Sequence, residues 1–204
     1  INTYLGACTE LGPEDVEPEK VKAAALTYFE GYLWDPPRAK EAIRQAALIA
    51  HQAGREVSMT LSDPFCVDRY RDEFLELMRS GTVDIVFANS DELKSLYQTA
   101  SFDEALAAIR KDCRLAAVTR SEKGSVIVHG DETVVVEAAP IRELVDTTGA
   151  GDLYAAGFLY GYTQGRCLKA CGDLGSLAAG LVIQQIGPRP RQNLHEEAEK
   201  AGLL

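Results

Sequence analysis

Between residues 25 and 119, short apolar runs alternate with longer amphipathic stretches, and this rhythm constrains the fold more than any other feature of the chain. A strand needs neighbours to pair with and a helix must bury an apolar stripe. Alternating the two is satisfied most simply by a mostly parallel sheet carrying crossover helices. Residues 25–29 predict a strand. Pro36-Pro37 then opens a helix whose apolar stripe is Ala39, Ile43, Ala46, Ala47, Ala50 and Ala53, closed by Gly54. Residues 57–61 are the next strand, followed by a helix presenting Tyr70, Phe74, Leu77 and Met78 on one face before Gly81. Residues 83–88 form a third strand. Two short helical segments, near 92–98 and 103–111, lead to a fourth at 115–119.

After Thr119 the rhythm changes. Residues 125–128 and 133–137, separated by His129-Gly130-Asp131-Glu132, predict an antiparallel hairpin at a sheet edge. From Gly149 the chain is nearly all helical, with helices expected over about 151–164 and 169–186. The expectation is an α/β fold: a doubly wound, mostly parallel sheet with an antiparallel hairpin and a helical C-terminal segment. A chain of 204 residues with 46% hydrophobic content can bury one core, so residues 1–204 are expected to form a single domain.

Charge narrows the partners. With 31 acidic against 21 basic residues, a net charge of −10 and no dense Lys/Arg block, neither nucleic acid nor an anionic membrane is an expected partner. A small anion is not excluded, because helix N-termini and bound cations create local positive potential in an acidic protein. The five cysteines, Cys8, Cys66, Cys113, Cys167 and Cys171, lack the CxxC pairs of a structural zinc site and read as reduced thiols. No apolar run reaches membrane-spanning length, and residues 1–5 show neither an initiator Met nor a basic-then-apolar leader. A cytoplasmic chain that begins partway through a longer protein is expected.

The four predicted parallel strands end at polar residues, Glu30, Asp63, Asn89 and Thr119-Arg120. Ligands of open α/β sheets bind outside the carboxyl ends of the strands, although polar loops are common enough that this says where to look and not what binds. The chemistry is carried by Asp146-Thr147-Thr148-Gly149-Ala150-Gly151-Asp152, directly before a predicted helix. Glycines there let the backbone turn tightly and aim its N–H groups at an anion, with the helix dipole adding positive potential. Asp152 would face the same ligand. A carboxylate beside a phosphate seat is repelled by it, unless its role is to take a proton from an attacking hydroxyl. A helix cap with turn glycines would use the same residue types. A Walker loop would need Lys-Ser/Thr after the last glycine, and GxGxxG would need glycine where Tyr154 stands, so neither pattern is present.

The stretch DTTGAGD resembles the signature of the ribokinase-like, or PfkB, carbohydrate kinases. Asn89-Ser90-Asp91-Glu92 is similar to the family's NxxE element. Thr119-Arg120-Ser121-Glu122-Lys123-Gly124 resembles its nucleotide-contacting T-x-G-x-x-G turn, with Ser121 where glycine is usual. The resemblance runs from about residue 2 to 204 and covers the C-terminal two thirds of a typical member. The first strands, the small lid domain and the glycine-pair sugar motif have no counterpart. The resemblance implies Asp152 as catalytic base, Gly149, Ala150 and Gly151 as the anion hole, and Thr119, Ser121 and Gly124 as nucleotide contacts. Asn89 and Glu92 would organise the magnesium of Mg-ATP, through water because Mg²⁺ keeps much of its hydration shell. Asn at N-cap with Glu at N3 is also a capping box, and both roles can hold at once. Asp146 and Thr148 resemble residues lining a monovalent-cation site, which implies activation by potassium.

The implied reaction is in-line phosphoryl transfer from Mg-ATP to a hydroxymethyl group of a small-molecule sugar or nucleoside. Residues 28–37 and Ile186-Gly187-Pro188-Arg189-Pro190 are more similar to bacterial adenosine kinases than to ribokinases, which implies the adenosine 5′-hydroxyl as acceptor. The alternatives are a ribokinase- or fructokinase-type sugar kinase and, from another class, a nucleotide-binding fragment without turnover. Tyr32 and Trp34 are either stacking surfaces for a base or packing residues at a strand end. In the family the acceptor is held largely by residues upstream, so the chain alone is expected to bind adenine nucleotide weakly and to phosphorylate little. An uncovered sheet edge would favour self-association, a homodimer included.

Overall fold

The computed structural model describes residues 6–204, and the chain divides into two compact units, Ile1–Ala116 and Ala117–Leu204. The expectations about residues 1–5 lie outside the described residues. The first unit runs α1 (Pro18–Ala23), β1 (Leu26–Glu30), α2 (Pro37–Gln52), β2 (Glu56–Thr60), α3 (Pro64–Arg79), β3 (Ile85–Asn89), α4 (Ser90–Leu96) and α5 (Phe102–Asp112), and ends within β4 (Leu115–Thr119). β1, β2 and β3 pair in parallel, with Tyr28 opposite Ser58 and Ser58 opposite Ile85. The Leu115 N–H at the start of β4 donates to Asp84 O, just ahead of β3. Right-handed crossovers between strands taken in chain order carry α2 and α3 to the same face. There the two helices are joined by the ion pairs Lys40–Glu73 and Arg44–Glu76.

Local signals explain these elements. Pro37 and Pro64 start their helices, and the Asp63 carboxylate caps α3 by accepting the Cys66 N–H at 2.7 Å. Gly54 and Gly81, at φ +68° and +72°, follow the last turns of α2 and α3. The buried stripe of α2 is Ala39, Ala42, Ile43, Ala47 and Ala50. Ala53, expected in that stripe, is exposed because the helix ends at Gln52 and the chain turns away there, and Ala42 is buried instead. Trp34 is fully buried, stacked on Phe29 with ring centroids 6.2 Å apart, and its indole N–H donates to Glu73 at 2.7 Å. Of the two readings of Trp34, packing is therefore the one the fold uses.

The second unit contains the hairpin β5 (Ser125–His129) and β6 (Glu132–Val136), antiparallel with Ser125 opposite Val136. It continues with α6 (Ala150–Thr163), α7 (Leu168–Val182) and α8 (Leu194–Lys200). α7 ends at Val182, short of the expected 186: the Gln184 and Gln185 N–H groups bond three residues back, to Leu181 O and Val182 O, and Ile183 O accepts the Val145 and Asp146 N–H groups in place of a further helical turn. α6 and α7 pack backbone against backbone. A Cβ on Gly157 would lie 2.4 Å from Leu174 O, and one on Gly175 would lie 2.7 Å from Tyr154 O. α7 also packs on the hairpin, where a Cβ on Gly172 would come within 2.5 Å of a Val136 methyl. The architecture is an α/β fold with a mostly parallel sheet, an antiparallel hairpin and C-terminal helices. No helix of the described residues is long and apolar enough to cross a membrane.

The glycines of α6 are not equivalent, and substitution separates them. Gly157→Ala should destabilise by roughly 1–3 kcal/mol, because the methyl meets backbone that cannot yield. Gly151→Ala should leave the melting temperature unchanged or raise it, since a Cβ there meets nothing within 4 Å and alanine is the better helix former. Thermal unfolding of the two variants checks the contrast, and equal melting temperatures would contradict it.

Candidate active site

The loop ahead of α6 is built around Asp146. One carboxylate oxygen accepts the Thr148 N–H at 2.9 Å and the Thr148 hydroxyl at 2.6 Å, and the other accepts the Gly187 N–H at 2.9 Å. The Thr148 hydroxyl, with help from the Gly187 and Thr148 amides, holds the Asp146 carboxyl below its ordinary range. The Val145 and Asp146 N–H groups both point at Ile183 O. The loop is thus tied down on two sides by the segment that follows α7. Gly149 sits at φ +80°, and a Cβ there would strike Pro188 at 2.6 Å, so both conformation and contact demand glycine. Ala150 opens α6, its N–H donating to Thr147 O.

Gly151 is different. No atom lies within 4 Å of a Cβ built on it and its φ is not positive, so neither packing nor backbone geometry asks for glycine. The amides of a first helical turn have no acceptor within the helix, and here they lie at an open surface. Asp152 is exposed beside them, and its carboxylate makes no hydrogen bond or ion pair among the described residues. The result is an anion-attracting helix start with clear space above Gly151 and an unpaired carboxylate at its rim.

The turn after β4 lies in the same unit. Arg120 N–H donates to Gly124 O at 2.7 Å and Gly124 N–H to Ser121 O at 3.0 Å, closing a tight loop over residues 120–124. Gly124 has φ +74° and ψ −131°, and a Cβ would overlap Val136 O at 1.9 Å. Ser121 takes φ +53°, a left-handed conformation that costs a non-glycine residue roughly 1–3 kcal/mol. The turn keeps the shape that glycine would favour even though serine occupies the position. Ser125, next in sequence, shares a buried 2.7 Å hydrogen bond with the Tyr154 hydroxyl, which links the strand after this turn to α6.

In the first unit, Asn89 and Glu92 meet at the end of β3. The Asn89 side-chain oxygen accepts the Asp91 and Glu92 N–H groups, while Glu92 accepts the Asn89 N–H at 2.9 Å and its side-chain amide at 2.6 Å. This is a complete capping box. Glu92 is only 5% exposed. Burial, with Asp63 and Asp91 nearby, pushes its pKa up to about 7, against the lowering effect of the Asn89 amide. A buried carboxyl poised near neutrality amid other acids favours a cation more than a simple cap requires. Both Glu92 oxygens are already engaged, and no group of three or more His, Cys, Asp or Glu side chains among the described residues could hold a metal by itself. Residues so engaged could hold an ion only through its water shell, as Mg²⁺ is often held.

Three features of these surroundings were not legible in the sequence. Asp63 appears there as a strand-end landmark, but the fold brings it close enough to raise Glu92. Tyr32 is 37% exposed, its N–H donates to the Ser62 hydroxyl, and burial together with the Asp63 carboxylate raises its phenol. Gly187 and Pro188 stand out in sequence only through the resemblance of residues 186–190 to adenosine kinases, and their contacts with Asp146 and Gly149 come from the fold alone. The local signal available was the glycine-proline break after a long helix.

Comparison with known proteins bears on this arrangement. The sequence matches the pfkB family carbohydrate kinase pattern over residues 1–193. It is 30% identical over 203 residues to an adenosine kinase of Saccharomyces cerevisiae, covering 91% of this chain and 58% of that one. The crystal structure of a probable sugar kinase from Rhizobium etli superposes with a TM-score of 0.98 at 70% identity, over 100% of this chain and 62% of that one. That of an adenosine kinase from Sinorhizobium meliloti gives 0.97 at 67% identity, over 98% and 61%. The chain spans about three fifths of the length of these relatives. With its family pattern matched over nearly the whole chain and an open helix start at the signature loop, the chain belongs to the pfkB family of carbohydrate kinases.

Proposed function

We propose that the protein transfers the γ-phosphoryl group of ATP to a hydroxymethyl group of a nucleoside, the adenosine 5′-hydroxyl, with Asp152 as the base. The observation that carries this reading is the open helix start: a glycine at 151 that the fold does not need, beside a carboxylate with no partner. Empty space above the Gly151 amide suits a phosphoryl group whose charge builds as it transfers. The proton on the attacking hydroxyl passes to Asp152 as the new O–P bond forms and the bond to ADP breaks. Gly149, Ala150 and Gly151 supply the amides. Thr119, Ser121 and Gly124 form the turn against which the nucleotide lies, and its closed backbone supports that role. Adenosine as acceptor is favoured by the likeness to the Sinorhizobium meliloti adenosine kinase. A sugar acceptor is the second reading, favoured by the equally close probable sugar kinase of Rhizobium etli.

Asn89 and Glu92 would hold a hydrated magnesium ion, which when bound offsets charge on the phosphates. Asp146 and Thr148 would take the monovalent cation. Asp146 accepts three hydrogen bonds, and a carboxylate offers about four lone-pair sites, so capacity for a cation remains.

Three measurements on the whole protein test this. Asp152→Asn should lower kcat by roughly 10²- to 10⁴-fold while leaving ATP affinity nearly intact, because an amide cannot take the proton. A rate within threefold of the wild type would remove Asp152 from the mechanism. If the wild type binds ATP but turns over neither adenosine nor a sugar, the nucleotide-binding reading replaces the kinase.

Glu92→Gln should raise the magnesium requirement more than it alters the melting temperature. The sign with pH follows from a carboxyl raised to about 7: it is mostly neutral at pH 6 and mostly ionised at pH 8, so magnesium should act at lower concentration at pH 8. The Gln variant should lose that dependence. Magnesium titrations at the two pH values check it, and an identical pH response in both proteins would leave Glu92 as a cap alone.

Potassium should stimulate the reaction. Rates measured in potassium and in tetramethylammonium at matched ionic strength would be equal if Asp146 and Thr148 hold no cation.

A further inference from the structure

Residues 183–193, between α7 and α8, contain neither helix nor strand, yet they are organised around one buried side chain. Gln185 is 8% exposed, whereas Ile186 beside it is 75% exposed. The Gln185 side-chain amide donates to Arg189 O at 2.5 Å and lies 3.5 Å from Gly187 O, and its side-chain oxygen accepts the Arg191 N–H at 3.1 Å. One carboxamide thus closes the turn that follows it, using both of its ends. Loops are seldom built inward over a buried amide unless its polar groups are all matched, as these are.

The same turn meets the signature loop at two points. Gly187 donates its N–H to Asp146, and Pro188 lies where a Cβ on Gly149 would be. We propose that Gln185 is a positioning residue for the loop 146–151. By closing the 187–191 turn it holds Gly187 and Pro188 in place, they hold Asp146 and Gly149, and these set the direction of the amides at the start of α6. Gln185 touches no reacting atom in this arrangement. The inference rests on the reading of that loop as the phosphoryl seat, because donors aimed in advance at a developing charge act only if they are held still.

Gln185→Met keeps the length of the side chain and removes its hydrogen bonds, leaving Arg189 O and Arg191 N–H without their partner. Amide hydrogen exchange in the whole protein should quicken by roughly tenfold in segment 187–191 and also in segment 146–152. kcat should fall by roughly tenfold while the ATP dissociation constant stays within about threefold, since the loss is of orientation and not of nucleotide contacts. Exchange quickened in 187–191 alone, with 146–152 unchanged, overturns the proposal. So does an unchanged kcat in an active enzyme. Should the variant not fold, exchange in the wild type decides: under mild denaturant the two segments should open together with one free energy, and independent opening overturns the coupling. Absence of turnover in the wild type would count against the kinase reading, while the exchange result would still judge the positioning role.

Discussion

The Asp146 carboxylate accepts two hydrogen bonds from Thr148, within the signature loop, and one from Gly187, which joins that loop to a segment far along the chain. Without them, neither piece has regular secondary structure to hold it. The loop leads into the first turn of α6, whose amides have no acceptor within the helix. The loop is held there by its own backbone as well: Thr147 O accepts the Ala150 N–H, and Ile183 O accepts the Val145 and Asp146 N–H groups. A carboxylate that accepts several hydrogen bonds prefers its charged form, so the anchor stays ionised and does not titrate away near neutral pH.

Glycine serves two opposite ends in α6. At 157 it lets the helix approach α7 so closely that Leu174 O fills the place of a side chain, and at 151 it leaves space that no protein atom fills. The first is explained by packing. The second has no explanation in packing among the described residues. The carboxylates divide in the same way, since Asp146 is held charged by donors, whereas Glu92 is pushed toward neutrality by burial and by its acidic neighbours. An acidic protein of net charge −10 can therefore carry a seat for an anion in one place and for a cation in another, because local groups outweigh distant charge screened by water and salt.

Much of the fold was legible because its signals are local. A proline pair at a helix start, glycines after helix ends and five-residue apolar runs located α2 and β2 to within a residue or so, the end of α3 ahead of Gly81, and β4 at its observed bounds, while the start of α3 was not read. The end of α7 was missed, because apolar composition runs on to Ile186 while the Ile183 carbonyl is taken by Val145 and Asp146, which no local pattern reveals. Ala53 was missed because a periodic stripe says nothing of where the last turn stops. Trp34 could not be decided from its neighbours in sequence, since its partner Glu73 lies 39 residues away.

The sequence by itself determined the alternating α/β order and the family, and it singled out Asn89, Glu92, Asp146 and the residues from Gly149 to Asp152 as candidates, because each is written in a contiguous motif or a short period. Tertiary structure alone decided the rest. It buried Glu92 beside Asp63, brought Gly187 and Pro188 against Asp146 and Gly149, folded the turn 187–191 over Gln185, and left Gly151 facing open space. Burial, a raised pKa and an unfilled volume depend on which atoms come near from distant parts of the chain, and no local pattern encodes that.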